Sequence, residues 1–188
     1  GRFAADVIAP TDRVGDVEGA RFDAASGAVT LPEPFAKAYR SYVEGGWGAL
    51  AFPPAHGGGG LPRLVGTALQ EVLTSANMAL SLNPILTQSA IELLAQWGTR
   101  SQQERYLPRL VTGEWTGTMN LTEPDAGSDL GAIRTTAVPA AAGGGPGWSL
   151  TGTKIFITWG EHDLAENIVH LVLARTPGAP PGTKGISL

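Results

Sequence analysis

The chain has 188 residues, 43% of them hydrophobic, a formal net charge of -4 and no cysteine. That is enough apolar material for one ordinary domain or two small ones with packed cores. The acidic balance leaves no basic stripe for phosphates, so nucleic acid is not an expected partner, and the missing cysteines exclude disulfides, iron-sulfur ligation and thiol nucleophiles. No apolar run approaches membrane-spanning length and the N-terminus lacks the pattern of a signal peptide, so no membrane insertion is expected and a cytoplasmic location fits.

Residues 1–30 mix Gly, Asp and Ala with little periodicity and read as an irregular or capping segment. A first helix is expected from Glu33, with Pro34 in its first turn and Gly45-Gly46 as its left-handed cap. After Pro62, the apolar residues Leu64, Val65, Ala68, Leu69, Val72, Leu73 and Ala76 recur at helical spacing and predict a helix with one buried face. Asn83-Pro84 reads as the cap and first turn of the next helix, whose stripe of Ile85, Leu86, Ala90, Leu93, Leu94 and Trp97 stops at Gly98. Ser101 with Glu104 forms a capping box for another helix that ends at Gly113, with Pro108 expected to bend it or confine it to short turns.

From Trp115 the period becomes extended. Strands are expected at 115–121, 132–138, 147–150, 154–158 and 167–175, with a flexible, glycine-rich hairpin connection at 140–147. Helices followed by strands argue for an α+β chain, an all-α domain over 1–113 joined to a β domain over 114–188, rather than a doubly wound sheet. The chain begins at Gly1 without an initiator Met and stops in the apolar run Gly185-Ile186-Ser187-Leu188, which looks like the middle of a strand. It is therefore expected to be a fragment.

Several patterns carry possible chemistry. Gly57-Gly58-Gly59-Gly60 lacks the Lys-Ser/Thr ending of a triphosphate loop and follows no clear strand, so it reads as a structural loop. Glu161, His162, Asp163, Glu166 and His170 match no zinc spacing, and His170 in an apolar strand reads as a hydrogen-bonded core imidazole, so no metal is expected. Ser128 lies beside Asp129 without a positioned His base, which leaves no triad. The run Leu121-Thr122-Glu123-Pro124-Asp125-Ala126-Gly127-Ser128-Asp129 is a polar turn after a strand. It is either a plain surface loop or one whose backbone N–H groups and hydroxyls meet an acceptor-rich ligand such as an isoalloxazine ring, a pyrophosphate or a thioester carbonyl. Glu123 and Asp129 are assigned anchoring roles, their carboxylates accepting hydrogen bonds from loop N–H groups and so fixing the turn.

That loop and the later Gly152-Thr153-Lys154-Ile155-Phe156-Ile157-Thr158 resemble, in this order, the two signatures of the acyl-CoA dehydrogenase family, usually written TEPxAGSD and KxWITN. The segment from Gly98 to Leu110 with Gly113-Glu114, and Trp47-Gly48-Ala49-Leu50 with Pro54 and 57–61, are similar to the family's preceding helix and glycine-rich loop. Where the family usually has Asn-Gly after Ile-Thr, this chain has Trp159-Gly160 and an extended continuation, similar to the branch that contains 3-methylmercaptopropionyl-CoA dehydrogenase and related long-chain enzymes.

The resemblance implies an N-terminal helical domain followed by part of an antiparallel β-barrel or sandwich, with the C-terminal helical domain absent. It also implies FAD-dependent α,β-desaturation of an acyl-CoA substrate, an electron-transfer flavoprotein as acceptor, and a homodimer or homotetramer at full length. Met119, Asn120, Leu121 and Thr122 would line the flavin, with Thr122 hydrogen-bonding the ring. Gly127 and Ser128 would approach it through their backbone, and Ser128 would also touch acyl-CoA. Phe156, Ile157 and Thr158 would form a second wall, Phe156 standing in for the family's tryptophan or, alternatively, serving as an ordinary core aromatic. The catalytic glutamate would lie outside these residues, so no catalytic residue is assigned here, and the chain alone is expected neither to hold FAD tightly nor to desaturate acyl-CoA. A flavin oxidase or monooxygenase on the same scaffold, or a non-catalytic acyl-CoA- or flavin-binding scaffold, are the rival readings.

Overall fold

The structure, a computed structural model, describes residues 1–140 and 147–188. The glycine-rich connection expected at 140–147 falls almost wholly outside the described residues. The chain divides into two compact units, one of 1–118 with 158–169 and one of 119–157 with 170–188.

The first unit is helical. Its opening segment, expected to be irregular, forms a π-helical turn Ala4–Ile8 that runs into α1, Ala9–Glu18. Tertiary contact supplies the order that local periodicity does not show. Ile8 and Thr11 are buried, Thr11 Oγ1 donates to the Ile8 carbonyl at 2.6 Å, and Asn77 Nδ2 donates to Thr11 Oγ1 at 2.8 Å. A short hairpin of β1, Arg21–Phe22, and β2, Val29–Thr30, follows.

Helix α2, Glu33–Glu44, begins as expected with Pro34 in its first turn and buries Phe35, Ala38, Tyr39 and Tyr42. Of the glycine pair that ends it, Gly46 alone takes the left-handed conformation, at φ 65°. Helix α3, Arg63–Ala76, buries Leu73 against the cluster of Ile8, Phe35, Ala38, Tyr39, Tyr42 and Leu80. Leu64, at 78% exposure, lies outside that packing, with Val65 and Val72 also exposed, so the apolar face is only partly buried.

Helix α4, Met78–Trp97, starts before the expected Asn83-Pro84 cap. Asn77, in extended conformation, accepts the Leu80 N–H at 2.9 Å and so nucleates the helix a turn and a half earlier. Pro84 is tolerated inside, where it withdraws the donor that would have met the Leu80 carbonyl. Helix α5, Arg100–Thr112, likewise continues through Pro108. Its capping box is Thr99 with Gln102, not Ser101 with Glu104, because Thr99 is the last extended residue and Ser101 is already helical. Glu104 instead pairs with Arg100 at 2.7 Å on the surface. Gly113, at φ 85°, ends the helix, and its carbonyl accepts the Tyr39 hydroxyl at 2.9 Å.

Strand β3, Trp115–Asn120, pairs with β6, Asn167–Val172. The second unit is built on a four-stranded sheet in the order β5-β4-β7-β8, with β4 Thr136–Pro139, β5 Trp148–Thr151, β7 Ala174–Arg175 and β8 Ile186–Ser187. Its pairs are antiparallel except β4 with β7, which is parallel. The sheet is small and open. Strand β4 is shorter than the expected 132–138 because Leu130–Ala132 forms a 3-10 turn first. Arg175 closes the unit, its guanidinium donating to the carbonyls of Gly131, Ile133, Pro180 and Gly182. Among the described residues, no helix is long and apolar enough to cross a membrane.

Candidate functional site

The polar loop after β3 folds into a tight turn in which Glu123 and Ala126 exchange backbone hydrogen bonds at 3.0 and 3.1 Å. Ala126 is buried beneath it, while Pro124, Asp125, Gly127 and Ser128 stand exposed. A Cβ built on Gly127 would meet nothing within 4 Å, so that backbone faces open space. Asp125 reaches Arg134 at 3.6 Å on the surface.

Glu123 anchors the turn, though by donors downstream of its own loop. Its carboxylate accepts the N–H of Arg134 at 2.6 Å, the N–H of Thr135 at 3.0 Å and Lys154 Nζ at 2.8 Å. Burial alone would push this carboxyl up, but the Arg134 amide and the Lys154 ammonium outweigh it and hold it down at about 2. Glu123 is therefore ionised and saturated, and its charge is spent inside the unit. Lys154 Nζ also donates to the Leu121 carbonyl at 3.0 Å, and the Ile155 N–H donates to the Thr122 carbonyl at 3.0 Å. Lys154 is the residue sequence reasoning passed over. Its signal was a single charge at the head of the apolar run Ile155-Phe156-Ile157.

The stretch 154–158, expected as a strand, is irregular chain. Phe156 and Trp159 both sit at φ 56°, which no extended strand allows. A positive φ is strained for a bulky side chain. Phe156 is nevertheless 88% exposed. Two ligations by residues 154–155 thus bring Leu121 and Thr122 together with the chain that leads into Phe156. Met119, Asn120, Leu121, Thr122 and Ile157 are half-buried, all in the second unit with Phe156, Gly127 and Ser128. Thr158, exposed, belongs to the first unit.

The other patterns resolve into structural roles. The glycine run turns its own N–H groups inward: Gly58 donates to the Pro53 carbonyl, Gly59 to Ala49 and Gly60 to Phe52, at 2.9–3.1 Å. A Cβ on Gly58 would lie 2.0 Å from the Phe52 carbonyl oxygen, so close backbone approach explains that glycine. In the acidic and histidine cluster each group is separately engaged. Asp163 accepts the Leu31 N–H, Glu166 accepts from Arg109 and Trp115, and Glu161 accepts the His162 N–H. His170 is exposed on β6, where Leu171 takes the inward position, and the buried imidazole is His162 instead. His162 Nδ1 accepts the Leu164 N–H at 3.1 Å and Nε2 lies 3.0 Å from Thr116 Oγ1. Among the described residues, no group of three or more His, Cys, Asp or Glu is placed to hold a metal ion.

Comparison with known proteins matches two family models, the acyl-CoA dehydrogenase N-terminal domain over residues 2–114 and the acyl-CoA dehydrogenase middle domain over 118–188. The 3-methylmercaptopropionyl-CoA dehydrogenase of Ruegeria pomeroyi is 54% identical over all of this chain, which spans 31% of that relative's length. Among solved structures, an acyl-CoA dehydrogenase from Geobacillus kaustophilus aligns over 100% of this chain and 44% of its own, with a TM-score of 0.79 and 28% identity. The FAD complex of PigA aligns over 99% of this chain and 44% of its own, with a TM-score of 0.75 and 26% identity. On the two family models and the 54% identity to a relative over the whole of the 188-residue chain, this chain belongs to the acyl-CoA dehydrogenase family.

Proposed function

We propose that this chain is the helical and β portion, over 1–113 and 114–188, of an FAD-dependent enzyme that desaturates an acyl-CoA thioester between its α and β carbons. The observation that carries the reading is Phe156, a bulky ring held 88% exposed at positive φ on a segment pinned to the loop of 121–129. An apolar ring presented to solvent at a backbone cost is placed to lie against a flat ligand.

The residues fit a flavin. Met119 and Leu121 offer half-buried apolar surface, Asn120 and Thr122 offer polar groups, and the open backbone at Gly127 and Ser128 offers a close approach. In this proposal Met119, Asn120, Leu121, Thr122, Gly127, Ser128, Phe156 and Ile157 hold FAD, and Ser128 also meets the acyl-CoA. Thr158 is assigned on the resemblance alone. The saturated Glu123 presents no uncompensated charge that would oppose electron-rich ring edges. When bound, FAD supplies the acceptor for hydride leaving the β carbon, while a glutamate elsewhere in the full-length protein takes the α proton. The PigA complex, which holds FAD on the same fold, supports the cofactor, and the Ruegeria relative supports a CoA thioester as substrate. Electrons would then pass to an electron-transfer flavoprotein, and the full-length protein would assemble as a homodimer or homotetramer.

Anaerobic titration of the full-length protein with a panel of acyl-CoA thioesters, following visible flavin absorption, tests this. Bleaching by one class of thioester is expected. A flavin that no thioester reduces, or hydrogen peroxide formed without another acceptor, would favour a scaffold or an oxidase, and a protein without flavin would remove the proposal.

A further inference from the structure

The Lys154–Glu123 pair differs in kind from the surface ion pairs. Its side chains are 10% and 7% exposed, whereas those of Arg109–Glu166 are 47% and 68% exposed. Burying two charges costs several kcal/mol of desolvation, and an apolar pair of similar volume commonly stabilises a fold as well or better. Fold stability alone is therefore a weak reason for this pair.

What the pair does geometrically is specific. Glu123 gathers the amides of Arg134 and Thr135, and Lys154 bridges that carboxylate to the Leu121 carbonyl. The next residue, Ile155, ties the Thr122 carbonyl, and the next after that is the strained Phe156. One ammonium thus sets the spacing between the backbone of Leu121 and Thr122 and the chain that presents the Phe156 ring. Ammonium and carboxylate bonds are directional and short, so they define that spacing more sharply than apolar packing would.

We propose that Lys154 and Glu123 are positioning residues for the flavin, acting through Leu121, Thr122 and Phe156 without touching the cofactor. This rests on the flavin reading above. A ring misplaced by about 1 Å is enough to cost a bound partner a large factor in its chemistry.

The test uses the full-length protein with FAD. Lys154→Met and Lys154→Arg are compared with the parent for FAD Kd and for the position of the visible flavin band, each alongside a thermal midpoint. Lys154→Met is expected to weaken FAD about tenfold or more and to shift the band, while Lys154→Arg, which keeps a buried cation for Glu123, loses less of both. A folded Lys154→Met protein with the parent's Kd and band overturns the proposal, as does an equal loss in both variants. If Lys154→Met does not fold, the double variant Glu123→Gln with Lys154→Met leaves no lone buried charge and is read in the same way. A double variant that also fails to fold assigns the pair to fold stability and overturns its positioning role. A parent that holds no FAD sinks the flavin reading itself, an outcome distinct from all of these.

Discussion

The indole N–H of Trp159 donates to the Ala79 carbonyl at 3.0 Å, so the residue that departs from the family's usual asparagine is fastened to the first turn of α4. The same ring stacks on Phe35 at 6.5 Å between centroids and meets His162 edge-on at 5.4 Å. Trp159→Phe keeps the aromatic packing and loses the hydrogen bond. It is expected to lower stability by about 1 kcal/mol in urea unfolding. An unchanged midpoint would mean that the indole N–H contributes nothing net.

Phe156 offers a separation of stability from function. Phe156→Gly removes a ring that is 88% exposed and relieves a φ of 56°. The strain released, about 1–3 kcal/mol, offsets the entropy that glycine adds to the unfolded chain, so the melting midpoint of the flavin-free protein should not fall. FAD affinity in the full-length protein should fall about two- to tenfold, the worth of an aromatic contact. A large drop in the midpoint would show that the ring packs against protein instead.

Acid should act on the second unit through Glu123. Its folded carboxyl is depressed from 4.5 to about 2. The folded state thus binds fewer protons than the unfolded one across that interval. The stabilisation is fully present above about pH 4.5 and is lost as pH falls toward 2. Glu123→Gln should flatten the stability profile in that window, as measured by chemical denaturation at a series of pH values. A variant with the parent's slope there would contradict the assignment.

Gly117 lies where β3 crosses α4. Its N–H donates to Thr87 Oγ1 at 3.1 Å, and an added Cβ would stand 2.6 Å from the Ala90 Cβ. Gly117→Ala is expected to destabilise by about 1–3 kcal/mol through overpacking. The paired change Gly117→Ala with Ala90→Gly should recover part of that loss in a thermal melt, since it removes the colliding atom. No recovery would place the cost in the strand backbone.

Helices α2 and α3 were legible because their proline starts and apolar spacing are local signals, and the change of period at Trp115 marked the onset of strands for the same reason. The start of α4 was not, because Asn83-Pro84 is a stronger local cap signal than Asn77. Asn77 wins through its contacts, accepting from Leu80 and donating to Thr11, a residue far away in the chain. The extended character expected of 154–158 failed in the opposite way. Ile155, Phe156, Ile157 and Thr158 have strand propensity, but Lys154 and Ile155 are tied to Leu121 and Thr122, and the chain turns through positive φ at Phe156.

By itself the sequence determined the α+β order, the absence of cysteine chemistry and the two signature segments from which family membership follows, since composition, period and motif are written locally. Only the tertiary structure decided that Lys154 is buried against Glu123, that the buried imidazole is His162 instead of His170, and that Phe156 stands exposed in a strained conformation. Each of these depends on which distant groups arrive to satisfy a charge, an imidazole nitrogen or a carbonyl, and such pairings are fixed by packing across the fold and leave no periodic trace along the chain.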